Sequence, residues 1–229
     1  RLDEQAEDLA RRLGLGKPTA ILVGWGMGRR VNGAAIVRAL DALATISGNI
    51  GIPGGGVSFY FKRRGAFDTG FVRGAEVAPR TLSEPLFGAV ILAAQDPPIR
   101  AVWITAGNPV VMLPESLTVK AALSSRELVV VVDSVLTDTA ELATLVLPTD
   151  TLLEADDLVG SYGHHYLGAV TPVVPPPAGV KSDLQILQEL ATRVGLSAAM
   201  AGDARQWKER ILAPRLSPHG ITLETLEQG

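Results

Sequence analysis

The sequence predicts an α/β fold: a doubly wound, mostly parallel sheet with helices on both faces, followed by an irregular, proline-rich and helical C-terminal extension. Three observations predict it. Short unbroken apolar runs, Leu128–Val132 above all, mark strands covered on both faces, because a strand with one wet face would alternate. Segments with apolar residues three and four positions apart separate these runs, and such strand–helix alternation favours parallel strands joined by right-handed crossovers. Past Pro148 the pattern gives way to turn formers and a proline cluster, Pro172, Pro175, Pro176 and Pro177.

In chain order, residues 3–13 read as a helix with Ala6, Leu9, Ala10 and Leu13 on one face, ended by Gly14, Gly16 and Pro18. Thr19–Val23 is expected to be a buried strand running into Gly24, Gly26 and Gly28. Asn32 is placed to cap a helix whose apolar face is Ile36, Leu40 and Leu43. That helix stops at Gly48, and Gly51-Ile52-Pro53-Gly54-Gly55-Gly56 follows as a loop. Residues 57–82 have no clear period and carry the basic triplet Lys62-Arg63-Arg64.

Ser83–Gln95 reads as helical until Asp96-Pro97-Pro98 breaks it, and Ile99–Thr105 is a strand leading into Ala106-Gly107-Asn108-Pro109. Pro114–Leu123 is a short helix, Leu128–Val132 a strand ending at Asp133, Thr137–Ala143 a helical turn or two, and Leu145–Leu147 a strand before Pro148. Residues 149–180 are expected to wander over a surface or toward another domain. Ser182 and Gln185 have capping-box spacing and open a helix with Leu184, Leu187, Ala191 and Val194 on one face. Asp203–Leu212 is a further helix. The expected organisation is therefore an α/β domain over 1–150 and a crossing segment with C-terminal helices over 151–229.

Composition narrows the function. Of 229 residues, 21 are Lys or Arg and 24 Asp or Glu, for a net charge of −3. There is no basic excess of the kind nucleic acid or an anionic membrane surface would require. Apolar stretches such as Leu128–Val132 fall far short of the ~20 residues of a membrane helix, so no direct membrane insertion is expected. The absence of cysteine removes disulfides, thiolate nucleophiles, zinc-thiolate sites and cysteine-ligated iron–sulfur clusters from these residues. The start at Arg1 suggests a piece of a longer protein and leaves the compartment open between cytoplasm and, behind a twin-arginine leader, periplasm.

In a Rossmann-like sheet, ligands bind outside the carboxyl ends of the strands. Those ends carry Gly24-Trp25-Gly26-Met27-Gly28, Gly107-Asn108-Pro109, Asp133 with Thr137, and Pro148-Thr149. The glycines fail the nicotinamide fingerprint: its third glycine would fall at Arg29, and the nearby acid, Asp41, lies inside a helix. They serve either close packing of strand, loop and helix or close approach of another phosphate-bearing ligand. Asn108, extended before a proline, either shapes a turn or offers amide donor and acceptor to a heterocycle. Asp133 either ties down the Thr137 turn or accepts the paired N–H groups on the Watson–Crick edge of guanine. His164 and His165, adjacent in sequence, would point to opposite faces of a strand, so no metal site is assigned. Arg29-Arg30 and Lys62-Arg63-Arg64 read as solvated faces, with phosphate contact by Arg29 or Arg30 the lesser option. No catalytic constellation is assigned.

Four blocks in order over residues 17–195 resemble the molybdopterin oxidoreductase family, the dimethyl-sulfoxide-reductase and formate-dehydrogenase group. They are Lys17-Pro18 through Gly24-Trp25-Gly26-Met27-Gly28-Arg29-Arg30-Val31-Asn32-Gly33 to Ser47–Gly56; Ala106-Gly107-Asn108-Pro109; Val132–Glu141 with Leu147-Pro148 and Glu154; and Ser161–Tyr166 through the prolines to Lys181-Ser182-Asp183. The resemblance implies a domain of an enzyme carrying molybdenum (or tungsten) bis(molybdopterin guanine dinucleotide). It implies that Gly24, Trp25 and Gly26 line the cofactor cleft, that Asn108 and Pro109 contact the cofactor, and that Asp133 and Thr137 hold its nucleotide end. It further implies oxygen-atom or proton and electron transfer in the parent enzyme. The implied partners are the parent chain's remaining domains, with an electron-transfer subunit left open. The metal ligand and any iron–sulfur cluster would lie outside these residues. Tyr162-Gly163-His164-His165 departs from the Asn-x-Glu-Gly-Arg run of formate-dehydrogenase-like members. Two rival readings are a non-catalytic structural descendant, as in the large respiratory NADH-dehydrogenase subunit, and a free-standing nucleotide-binding module.

Overall fold

The computed structural model describes residues 2–58, 66–70, 80–160 and 166–228. They form two compact units, one built mainly from residues 2–58 and the other from 66–159 and 167–228.

In the first unit, α1 (Leu2–Leu15) opens with Asp3 and Glu4 and closes with Arg12, complementing the helix dipole at both ends. Its expected apolar face is not buried: Leu13 is half-buried and Leu9 is 58 % exposed. β1 (Ala20–Leu22) pairs in parallel with β2 (Gly56–Ser58), Ile21 opposite Val57. The strand was expected to be buried, yet Leu22 is 82 % exposed, because no second layer among the described residues covers its side. α2 (Gly33–Ile46) turns Ile36, Leu40, Leu43 and Ala44 inward, as the spacing predicts.

Asn32 does not cap α2. Its backbone (φ −97°, ψ 13°) is not the extended form a capping residue needs, and its side chain makes no cap bond. The helix start is set instead by Gly33, where an added Cβ would overlap the Met27 carbonyl oxygen. The helix ends at Gly48, whose φ of +69° favours glycine.

Asn49, 1 % exposed, joins three segments of this unit. Its Oδ1 accepts from the Thr19 amide at 2.8 Å, and its Nδ2 donates to the Leu13 carbonyl at 3.1 Å and to Ser47 Oγ at 2.9 Å. Truncation to alanine strands a buried donor and a buried acceptor, each costing about 1–3 kcal/mol. Asn49→Ala is therefore expected to destabilise this unit by about 2–4 kcal/mol. Hydrogen–deuterium exchange over residues 13–19 checks this: protection there should collapse, and unchanged protection would contradict the assignment.

The second unit holds a parallel sheet ordered β3 (Ala101–Thr105), β4 (Leu128–Asp133), β5 (Leu145–Pro148). Trp103 stands opposite Val130, and Val131 opposite Val146. β4 is central and its continuous hydrophobicity has the expected cause. Val129 and Val131 pack with Ile104, Val110, Val119 and Leu123 on one face, while Val130 and Val132 pack with Ile186 on the other. The first face is covered by α4 (Pro109–Met112) and α5 (Ser116–Ser124), with α3 (Phe87–Ala93) packed on α5. Gly88 permits that contact, since a Cβ there would meet the Thr118–Val119 peptide at 2.8 Å. The second face is covered by α6 (Asp183–Arg193), so the sheet is doubly wound. Both arms of the predicted Ser182–Gln185 capping box are formed.

Residues 149–180 are less irregular than the prolines suggest. β6 (Asp157–Gly160) and β7 (Leu167–Val170) form a two-stranded sheet. Leu158, Leu167 and Ala169 pack against Leu212 of α7 (Ala204–Leu212) and Leu223 of α8 (Leu223–Glu227). The ammonium of Lys208, 5 % exposed, is matched there by Asp156. Among the described residues, no helix is long and apolar enough to cross a membrane.

Candidate functional site

The carboxyl ends of β3, β4 and β5 lie side by side, because the three strands are parallel and in neighbouring register. From β3 the chain passes through Ala106, held at φ +49°, into Gly107 and Asn108. Ala106 N–H donates to the Val132 carbonyl at 3.0 Å, which fixes this turn to the end of β4. Pro109 opens α4 at its first position and is buried; Asn108 beside it is half-buried.

Among the described residues, Asn108 makes one side-chain bond, and it comes from a residue whose own sequence neighbourhood does not mark it. The hydroxyl of Thr139, wholly buried, donates to Asn108 Oδ1 at 2.7 Å and accepts the Val110 amide at 3.2 Å. This interaction spans 31 positions, and local pattern carries no sign of it. It narrows what Asn108 offers: its carbonyl oxygen is engaged, and the amide nitrogen has no partner among the described residues.

Asp133 closes β4 and is half-buried. One carboxylate oxygen accepts the Val135 amide at a long 3.3 Å, and its backbone carbonyl accepts from Thr149 N–H at 3.3 Å. Among the described residues, most of its acceptor capacity is therefore unspent. Thr137 is half-buried and serves the following turn, its Oγ1 accepting the Ala140 amide at 3.2 Å. Val135 and Leu136 between them are exposed.

From β5, Thr149 bridges in parallel to Lys181, which brings the start of α6 to the same edge. Asp183 Oδ1 is buried there without a hydrogen-bond partner among the described residues. Burial, reinforced chiefly by Asp150 and more weakly by Asp133 and Asp157, pushes the Asp183 carboxyl above the usual range; the nearby Thr149 hydroxyl, which donates to Asp150 Oδ1 at 3.3 Å, acts the other way. The fold thus favours the protonated acid, and the unfolded chain holds fewer protons above pH ~4. Stability from this group is fully present below that pH and is lost as pH rises through the raised folded value. Asp183→Asn removes the charge, and the variant should unfold at a higher temperature than wild type at pH 7. The gain should vanish toward pH 4 in thermal unfolding, and parallel pH profiles would contradict it.

In the first unit, the loop of Gly24 and Gly26 leaves β1 and enters a 3-10 turn over Trp25–Arg29. Among the described residues, a Cβ at either glycine would meet nothing within 4 Å, so packing there does not require them; that role falls to Gly33. The side chains of Trp25 and Arg29, and residues Lys62-Arg63-Arg64 and His164-His165, lie outside the described residues. Among the described residues, no group of three His, Cys, Asp or Glu is arranged to hold a metal ion.

The family model for molybdopterin oxidoreductases matches residues 4–193. The probable oxidoreductase YyaE of Bacillus subtilis is 34 % identical over 92 % of this chain and 32 % of its own. The dimethyl sulfoxide reductase DmsA of Escherichia coli is 30 % identical over 82 % of this chain and 26 % of its own. The trimethylamine-N-oxide reductase of Haemophilus influenzae is 31 % identical over 79 % and 26 % respectively. Among solved structures, acetylene hydratase from Pelobacter acetylenicus superposes with a TM-score of 0.53 at 25 % identity, covering 64 % of this chain and 20 % of that one. The chain thus spans about a third or less of the length of these relatives. It belongs to the molybdopterin oxidoreductase family, which implies a molybdenum–molybdopterin cofactor.

Proposed function

We propose that this chain holds the nucleotide end of a molybdopterin guanine dinucleotide within a larger molybdenum or tungsten oxidoreductase. The observation that carries the reading is Asp133: a half-buried carboxylate at the end of the central strand whose acceptor capacity is nearly unspent among the described residues. Guanine presents N1–H and N2–H side by side, and an ionised carboxylate accepts both. Adenine has an acceptor at N1 and no amino group at position 2, so the same carboxylate repels it. Thr137 shapes the turn that keeps Asp133 open, and Asn108 adds donors at the neighbouring strand end, beside buried Pro109. Gly24, Trp25 and Gly26 are assigned to the cofactor cleft; the open space around the two glycine Cα atoms is compatible with close approach of a ligand.

When bound, the metal centre supplies the redox chemistry, and this chain's residues anchor and orient the group that carries it. Several relatives are named as reductases of sulfoxides or an N-oxide, which supports oxygen-atom transfer, whereas the relative named acetylene hydratase is not. The rest of the parent chain would complete the cofactor site, with an electron-transfer subunit as a further partner. Any cysteine-ligated iron–sulfur cluster must come from outside this cysteine-free chain. The test is elemental and nucleotide analysis of the purified full-length protein. Molybdenum or tungsten together with guanine nucleotide released by acid is expected. Absence of both metal and nucleotide would favour the non-catalytic descendant.

A further inference from the structure

We infer that Thr139 is a positioning residue that locks the Asn108 amide with its nitrogen outward, so that this strand end presents only N–H donors to an oxygen acceptor of the ligand. The inference rests on the proposed cofactor reading and adds to it which way Asn108 faces and what sets that direction.

Hydrogen-bond supply fixes the orientation. Thr139 is 0 % exposed, so its hydroxyl cannot turn to water. Its oxygen is the acceptor for the Val110 amide at 3.2 Å, and its single proton is matched by Asn108 Oδ1 at 2.7 Å. A flipped amide would point N–H at an oxygen that already accepts, and would leave the hydroxyl proton without this acceptor. The main chain of Asn108 is also engaged. Its carbonyl accepts from Val111 and Met112 N–H at 3.0 and 2.8 Å, and its own N–H faces Met112 Sδ at 3.4 Å. Among the described residues, what Asn108 has left to spend is Nδ2, with two donors. The match is therefore a phosphoryl or carbonyl oxygen rather than a ring N–H.

The test uses the full-length protein and reads bound guanine nucleotide, metal content and nucleotide release rate. Asn108→Asp keeps an acceptor for the Thr139 hydroxyl but replaces the donors with an acceptor. It should unfold at the wild-type temperature yet hold at least tenfold less nucleotide. Thr139→Ser keeps the hydroxyl and should load normally, while Thr139→Val should release nucleotide faster. In an Asn108→Leu background, Thr139→Val should speed release no further, because it acts through a side chain no longer present. Full loading of Asn108→Asp, poor loading of Thr139→Ser, or additive effects in the double variant would each overturn the inference while leaving the cofactor reading intact. A wild-type protein without nucleotide or metal would instead overturn that reading.

Discussion

Asp133→Asn in the full-length protein is expected to lower bound guanine nucleotide and molybdenum at least tenfold. The substitution removes the negative charge and turns one of two acceptors into a donor. The substituted amide would satisfy the Val135 N–H with its remaining oxygen, as the Asp133 carboxylate does at 3.3 Å, so its own N–H groups would face the guanine N–H groups. Loss of a charge-assisted hydrogen bond costs about 1.5–3 kcal/mol and a buried, mismatched donor about 1–3 more. A tenfold change in affinity corresponds to about 1.4 kcal/mol, so the lower bound already exceeds it. The sheet should survive, because residue 133 ends the β4 ladder and Val129–Val132 hold its centre. Circular dichroism gives the folding control. Full occupancy with an unchanged release rate would mean that Asp133 only ties its own loop.

Gly33→Ala should be the most disruptive single methyl in the first unit. Its Cβ would overlap the Met27 carbonyl oxygen and lie 2.7 Å from the carbonyl carbon, both main-chain atoms that no rotamer change can move. Overpacking of this kind costs roughly 1–3 kcal/mol or more, and an immovable backbone places this case at the upper end. Relief requires α2 to draw away from the 25–29 turn, taking the Gly24–Gly28 loop out of register. Gly26→Ala is the matched control, since its Cβ meets nothing within 4 Å among the described residues. Thermal unfolding should drop sharply for Gly33→Ala and stay at wild type for Gly26→Ala. If Gly26→Ala still loses nucleotide, the loop approaches the ligand rather than merely packing. Equal stability of both variants would contradict the packing account.

What the sequence made legible is what local chemistry determines. The run Leu128–Val132 could be read as doubly covered because every position is apolar, and the structure puts alternate valines into two different clusters. Ser182 and Gln185 are three positions apart and their reciprocal bonds need no distant residue. The strand ends carrying Asn108 and Asp133 followed from the same alternation. Other features depend on partners far away in sequence. β2 is three residues long, begins at a glycine with φ +121°, and exists through its pairing with β1 some 36 positions earlier. β6 and β7 are four residues each, and α7 and α8 supply their apolar partners. Asn32 had a capping residue's identity but not its backbone angles, and the close approach of Gly33 to Met27 sets the helix start. Thr139 was invisible for the same reason: its importance lies in a bond to Asn108, not in its neighbours.

Whether Asp133 reads the guanine edge of the cofactor is tested most directly by a crystal structure of the loaded full-length protein. Guanine N1 and N2 are each expected about 2.7–3.2 Å from an Asp133 carboxylate oxygen, with the Asn108 amide nitrogen facing an oxygen of the same ligand. A guanine bound elsewhere, with the Asp133 carboxylate still bonded only to the Val135 amide, would contradict it.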